Sequence, residues 1–233
     1  MEIPMYLAMT AAEFHNAPAL PPCTAWMACH FSCYGTGLSN LPNRLPENAM
    51  VIVNDRTPVM GHDPQYILEQ LTQLQEKWNI RYFLLDFQRR DEALTAKIAE
   101  LLAKQLPCPT GVTQWYAEGL SCPVFLPPPP LHIPLKKHLE SWSGREIWIE
   151  AAITQQATTV TKEGSHTTPV SPSALDEPSF EDTDLHCRYR VELKDNAAVF
   201  HLQRNKDQLH NFLKDAEKLG VTLSVGLYQQ LGI

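Results

Sequence analysis

The 233-residue chain has no C-x-x-C pair, no long apolar run and no excess of positive charge. Each absence closes a class of function. A bilayer-spanning helix needs about 18 or more consecutive apolar residues, and nothing here approaches that. With 19 lysines and arginines against 26 aspartates and glutamates, the net charge is -7. That balance argues against nucleic acid and against a basic membrane-surface patch. The opening "MEIPMYLAMTAAEF" carries an acid where a secretory leader needs a positive segment, so the expected location is the cytoplasm. The cysteines, at 23, 29, 33, 108, 122 and 187, fit reduced thiols, several of them packed as small apolar side chains. "CHFSC" (Cys29, His30, Cys33) falls short of a zinc set, so no metal and no cofactor is expected. There is no G-x-S-x-G and no P-loop. Lys77, Lys97, Lys104 and Lys214 sit on helix surfaces or loops, away from the strand ends that a Schiff-base lysine would occupy.

What the chain does have is short apolar runs alternating with longer amphipathic ones, the pattern of βα units around a parallel sheet. "MYLAM" (5–9), "AWMACHFS" (25–32), "AMVIVND" (49–55), "IRYFLLDFQRR" (80–90), "PTGVTQ" (109–114), "CPVFLP" (122–127), "REIWIEAA" (145–152) and "VTLSVGLYQQLG" (221–232) read as strands. Thr10 and Glu13 form a capping box for a short helix ended by Pro18. Helical spacing recurs over 64–78, with Ile67, Leu68, Leu71, Leu74 and Trp78 on one face behind Pro64. It recurs over 91–106 (Leu94, Ile98, Leu101, Leu102) and over 205–219 (Leu209, Phe212, Leu213, Ala216, Leu219), the last capped by Gly220. The five prolines of "FLPPPPLHIP" (125–134) make a stiff loop. Residues 155–184, rich in Thr, Ser, Pro and acids, read as a surface excursion, and 187–204 as a hairpin turning at Asp195-Asn196.

Eight strands counted from Ala25, with the hairpin taken as one, or nine with "MYLAM", suggest an α/β chain folded as one (β/α)₈ TIM-barrel-like domain over 1–233. Some helices must then be short or missing, and 155–204 is an insertion bearing the β-hairpin. An open doubly wound sheet competes, but Gly35-x-Gly37 lacks the third glycine of its phosphate turn.

Parallel barrels carry their sites at the strand C-terminal ends. Polar residues gather there: His30, then Asn54, Asp55 and Arg56, then Asp86, Gln88 and Arg89, with Glu150 later. Alternation puts Asp86 and Gln88 on the side of Leu84. Asp86 and Glu150 each follow an apolar stretch, and apolar walls raise a carboxyl pKa towards acid/base use, so these two are the candidate catalytic pair. His30, Asp55, Gln88, Arg89, Trp115 and Tyr228 are candidates to hold a ligand; the rings of Trp115 and Tyr228 suit the apolar face of a sugar. The expected partner is therefore a small molecule or carbohydrate. A non-catalytic binder on the same scaffold is the alternative, and a third reading makes 155–204 a docking surface for a protein.

"YFLLDFQ" (82–88) resembles the strand-end motif D-x-x-D-x-D-x-E of chitinase-type glycoside hydrolases, whose final glutamate is the proton donor. The resemblance implies that Asp86 matches the last aspartate, which orients substrate. Gln88 stands at the glutamate, and Leu84 and Arg81 replace the earlier acids. An amide cannot serve as that acid, so the family's catalysis does not carry over at Gln88. The whole chain also resembles a bacterial family of barrel-like proteins without an assigned chemistry.

Overall fold

In the computed structural model, residues 3–33, 35, 37–89, 93–170, 175 and 179–231 are described. In chain order the first strands are β1 (Met5–Met9), β2 (Thr24–Phe31), β3 (Leu38–Ser39), β4 (Met50–Asn54), β5 (Tyr82–Asp86), β6 (Thr110–Thr113), β7 (Val124–Leu126) and β8 (Ile147–Ala151). They are followed by β9 (Thr154–Thr161), β10 (Gly164–Pro169), β11 (Phe180–Asp182), β12 (Cys187–Lys194), β13 (Ala197–Arg204) and β14 (Val221–Leu227). One sheet runs β1-β14-β8-β7-β6-β5-β4-β2 in parallel and closes through β1–β2, with the two-residue β3 hanging antiparallel on β2. This is a closed (β/α)₈-type barrel. Its eight staves include "MYLAM" and exclude the hairpin.

Period-two alternation sorts the side chains. Met50, Ile52, Leu84, Phe125, Trp148, Leu223 and Val225 fill the barrel interior, while Val51, Val53, Phe83 and Leu85 face the helices outside. The Trp148 indole crosses the interior so closely that a Cβ on Gly111 would stand 2.4 Å from its ring. Glycine in β6 therefore makes room for the largest core side chain.

The helices are uneven, as the short chain requires. α1 (Ala11–Asn16) has the expected Thr10–Glu13 capping box. α2 (Pro64–Trp78) starts on Asp63, whose carboxylate accepts from the Gln65 N–H at 3.0 Å, and buries Ile67, Leu68, Leu71 and Leu74. α3 (Ala93–Gln105) buries Ile98, Ala99 and Leu102; the expected start at 91 lies outside the described residues, and Leu94 and Leu101 are only partly covered. After a five-residue α4 (Leu135–Leu139), α5 (Lys206–Lys218) is capped by Asn205 and Gln208. Leu219 was expected on its buried face but is 41 % exposed, because the helix ends at Lys218 and the chain turns away. The final helix, α6 (Tyr228–Leu231), replaces the last turn of the expected closing strand.

The described part of 155–184 is mostly strand, where its composition suggested an irregular surface excursion. β9, β10 and β11 join β12 and β13 in a second, antiparallel sheet ordered β10-β9-β13-β12-β11. Threonine explains the misreading: it is polar by composition yet β-branched, and suits a half-exposed pleated surface. The remainder of the expected excursion, 171–174 and 176–178, lies outside the described residues. The hairpin of β12 and β13 does turn at Asp195-Asn196, pairing Lys194 with Ala197. Arg204, 1 % exposed, ties this sheet to α5: it donates to the Leu185 and His186 carbonyls and lies 4.2 Å over the Phe212 ring.

Candidate active site at the barrel mouth

Register decides which polar side chains meet. β4 and β5 pair Asn54 with Asp86, and β14 and β8 pair Val225 with Glu150. Asn54, Asp86 and Glu150 are each two residues beyond an inward core residue: Ile52, Leu84 and Trp148. They form the next layer up, where the interior is no longer filled. A cavity of about 480 Å³ opens there, within the range of small-molecule sites. Its apolar wall includes Met27, Ile52, Leu84, Phe125, Val225 and Leu227, and its polar residues are Asn54, Asp55, Arg56, Asp86, Gln88, Arg89 and Glu150.

Local geometry holds the β4–β5 side rigid. β2 bulges between Trp26 and Cys29, which takes carbonyls out of the ladder; the Asn54 amide donates to Met27 O at 3.2 Å and Cys29 O at 3.0 Å. Asp55, 4 % exposed, accepts from the Gln88 N–H at 3.0 and 3.1 Å and from the Arg89 N–H at 2.8 Å. The loop after β5 is thus bracketed onto the end of β4. The Thr113 hydroxyl and the Tyr116 hydroxyl fasten its other side through the Phe87 and Arg89 carbonyls.

Asp86 and Glu150 open into this one cavity. Burial pushes the Asp86 carboxyl above the usual range; the Gln88 amide, donating at 2.5 Å, and Arg56 oppose that, while Asp55 adds to it. Burial likewise raises Glu150, and the charge of Asp86 raises it further. Among the described residues Glu150 has neither a hydrogen-bond donor nor an ion-pair partner. A buried carboxyl in that state favours holding a proton.

Five of the eight candidate residues therefore converge: Asp55, Asp86, Gln88, Arg89 and Glu150. The other three do not line the cavity. His30 lies beyond the β2 bulge, with Nδ1 2.9 Å from the Ala28 carbonyl of its own strand. Trp115 is carried off by the turn that bonds Tyr116 N–H to Thr113 O, and is 39 % exposed. Tyr228 opens α6 and packs against the outer core instead. Met27, Phe125 and Leu227 were missed as lining residues. Alternation gives Leu227 directly from Val225, but no sequence signal marks a bulge that turns Met27 inward.

No protein-family model and no curated protein matches the sequence. Solved structures do match its shape. The Bacillus cereus spore cortex-lytic enzyme SleL superposes over 100% of this chain and 72% of its own, with a TM-score of 0.62 at 10% identity. A family GH18 chitinase from Cycas revoluta, solved with allosamidin, covers 97% of this chain and 95% of its own at 11% identity, with a TM-score of 0.56. A chitinase from Chromobacterium violaceum covers 98% and 95% at 9% identity, with a TM-score of 0.53. At such identities the likeness is one of fold: this is a TIM-barrel chain built like these glycoside hydrolases.

Proposed function

We propose that the barrel mouth binds a carbohydrate and hydrolyses a glycosidic bond through Asp86 and Glu150. The observation that carries this is the shared cavity of two acids, both raised and neither in an ion pair among the described residues. Their environments differ, which separates their roles. Glu150, without a donor, keeps its proton and gives it to the departing sugar oxygen. Asp86, whose charged form the Gln88 amide favours against burial, takes a proton from the attacking water. They stand on staves three places apart in the sheet, and a gap wide enough for that water corresponds to inverting hydrolysis. The chitinase-fold neighbours support the substrate class; the apolar wall and convergent amides suit a sugar ring. Gln88, in place of the motif's glutamate, means that the chitinase-type route is not the one used. Six free thiols suit the cytoplasm as its compartment.

The 2.5 Å Gln88–Asp86 contact favours a second reading, a binder without turnover, because it engages the carboxylate that would take the proton. Calorimetry and reducing-end assays on a panel of oligosaccharides separate the two. Release of reducing ends that stops in both Asp86→Asn and Glu150→Gln supports hydrolysis. Binding without release supports the binder. A panel with no binding at all rejects the carbohydrate reading.

A further inference from the structure

The mouth carries two guanidinium groups in a chain whose net charge is -7. Arg89 is anchored: its Nη2 donates to the Arg56 carbonyl at 2.9 Å. Arg56 itself is exposed at the rim, with its backbone N–H 3.3 Å from Asn54 Oδ1. Its guanidinium has no hydrogen bond or ion pair among the described residues, although it is near enough to Asp86 to draw that carboxyl's pKa down. The acids around it are occupied. Asp55 accepts two backbone N–H groups and Asp86 accepts the Gln88 amide. Burial disfavours charge on Glu150, so the cavity is less negative than its three carboxyls suggest.

An arginine lining the cavity mouth with no hydrogen bond or ion pair to its guanidinium among the described residues is a ready fork for a carboxylate, which it meets with two parallel N–H···O bonds. We infer that the saccharide taken up here is acidic, a sugar bearing a carboxylate whose charge is met by Arg56, with Arg89 beside it on the β4–β5 side of the mouth. This rests on the carbohydrate reading above and narrows it. A neutral chain would leave Arg56 facing the cavity unanswered.

The test uses matched pairs. Oligosaccharides of glucuronic, galacturonic and mannuronic acid, and tetrasaccharides alternating glucuronic acid with N-acetylglucosamine, are titrated against the full chain by calorimetry. Each is paired with its carboxyl-reduced twin, which differs only by –CH₂OH for –COO⁻; a tetramer of N-acetylglucosamine is the neutral reference. The expected result is at least one acidic member bound ten-fold or more tighter than its twin. That preference should shrink in added salt, since the rim is exposed. In R56Q it should fall below two-fold, and R56K should restore part of it through the point charge. Equal binding of the twins, tighter binding of the neutral reference than of every acidic member, or a preference untouched in R56Q overturns the acidic-sugar inference and leaves the carbohydrate reading standing. If neither the acidic members nor the neutral ones bind, both fall.

Discussion

The two ends of the barrel hold the same kinds of residue in opposite states. Glu146 immediately precedes β8, and Glu150 lies near that strand's other end. Glu146, at the closed end, accepts from Trp148 Nε1 and from the Thr222 hydroxyl, each at 3.0 Å. Glu150, at the mouth, has no donor among the described residues and is pushed upward by burial. Glu146 itself is exposed, at the edge of a solid floor: Tyr6, Tyr82 and Trp148 meet edge to face at 5.6 and 5.3 Å, and the Tyr6 hydroxyl donates to Asn48 O at 3.0 Å. Around Glu150 the interior is open. The difference teaches that a polar group with its partners in place serves stability, while one held without them is available for a ligand. Changes at the closed end should therefore cost folding, and changes at the mouth should cost function.

Trp148→Ala tests the first half and carries the largest effect. It empties the place that Gly111 clears, so unfolding in urea should show a loss of about 3–5 kcal/mol. A loss under about 1 kcal/mol would mean that the closed end collapses around the hole and is not the rigid floor described here. Glu150→Gln tests the second half. It should lower turnover on any saccharide substrate by about 10²–10⁴-fold. Its melting temperature should hold or rise, since no hydrogen bond or ion pair of the described residues is lost. A clear drop in melting temperature would put Glu150 in the same class as Glu146.

Asp55→Ala lies between the two classes. It belongs to the mouth but is fully engaged, so it should behave like a closed-end residue. Leaving the Gln88 and Arg89 N–H groups without their acceptor should cost about 1–3 kcal/mol by denaturant titration. Saccharide affinity should fall with it, because the loop carrying Gln88 is no longer bracketed to β4. Asp55→Asn retains one acceptor oxygen and should recover part of both.

How far all this was legible depends on whether a local rule was enough. Leu84, Asp86 and Gln88 follow from alternation along one strand, and β5 bears that out to Asp86, with Gln88 lining the cavity just beyond. The capping box at Thr10 and the buried face of α2 are equally local. The meeting of Asp86 with Glu150 needed the barrel to close, and strand order β8-β7-β6-β5 is a long-range fact. The role of Asp55 was hidden for the same reason: its partners are backbone amides 33 and 34 residues away, which no side-chain pattern records. His30 failed because a bulge shifts the register of β2, and the strands of 154–169 were missed because threonine is polar in composition and strand-like in shape.

The smallest effect is a pH dependence carried by the two carboxyls of the mouth. Asp86 and Glu150 rise from ordinary values of 3.8 and 4.5 on folding. Between the ordinary and raised values the folded chain binds more protons than the unfolded one, so their contribution is whole below the ordinary values and is lost as pH climbs through the raised ones. Exposed Glu192 and Asp215 are lowered instead, by His201 and Lys218 first, and act in the opposite sense at lower pH. Comparing wild type with the double variant Asp86→Asn, Glu150→Gln cancels those surface groups. As pH climbs from the ordinary values through the raised ones the wild type should lose melting temperature relative to the variant, and the gap should then stay level. A gap that does not change with pH, or one that moves in the wild type's favour as pH rises, would mean that burial does not raise these two carboxyls.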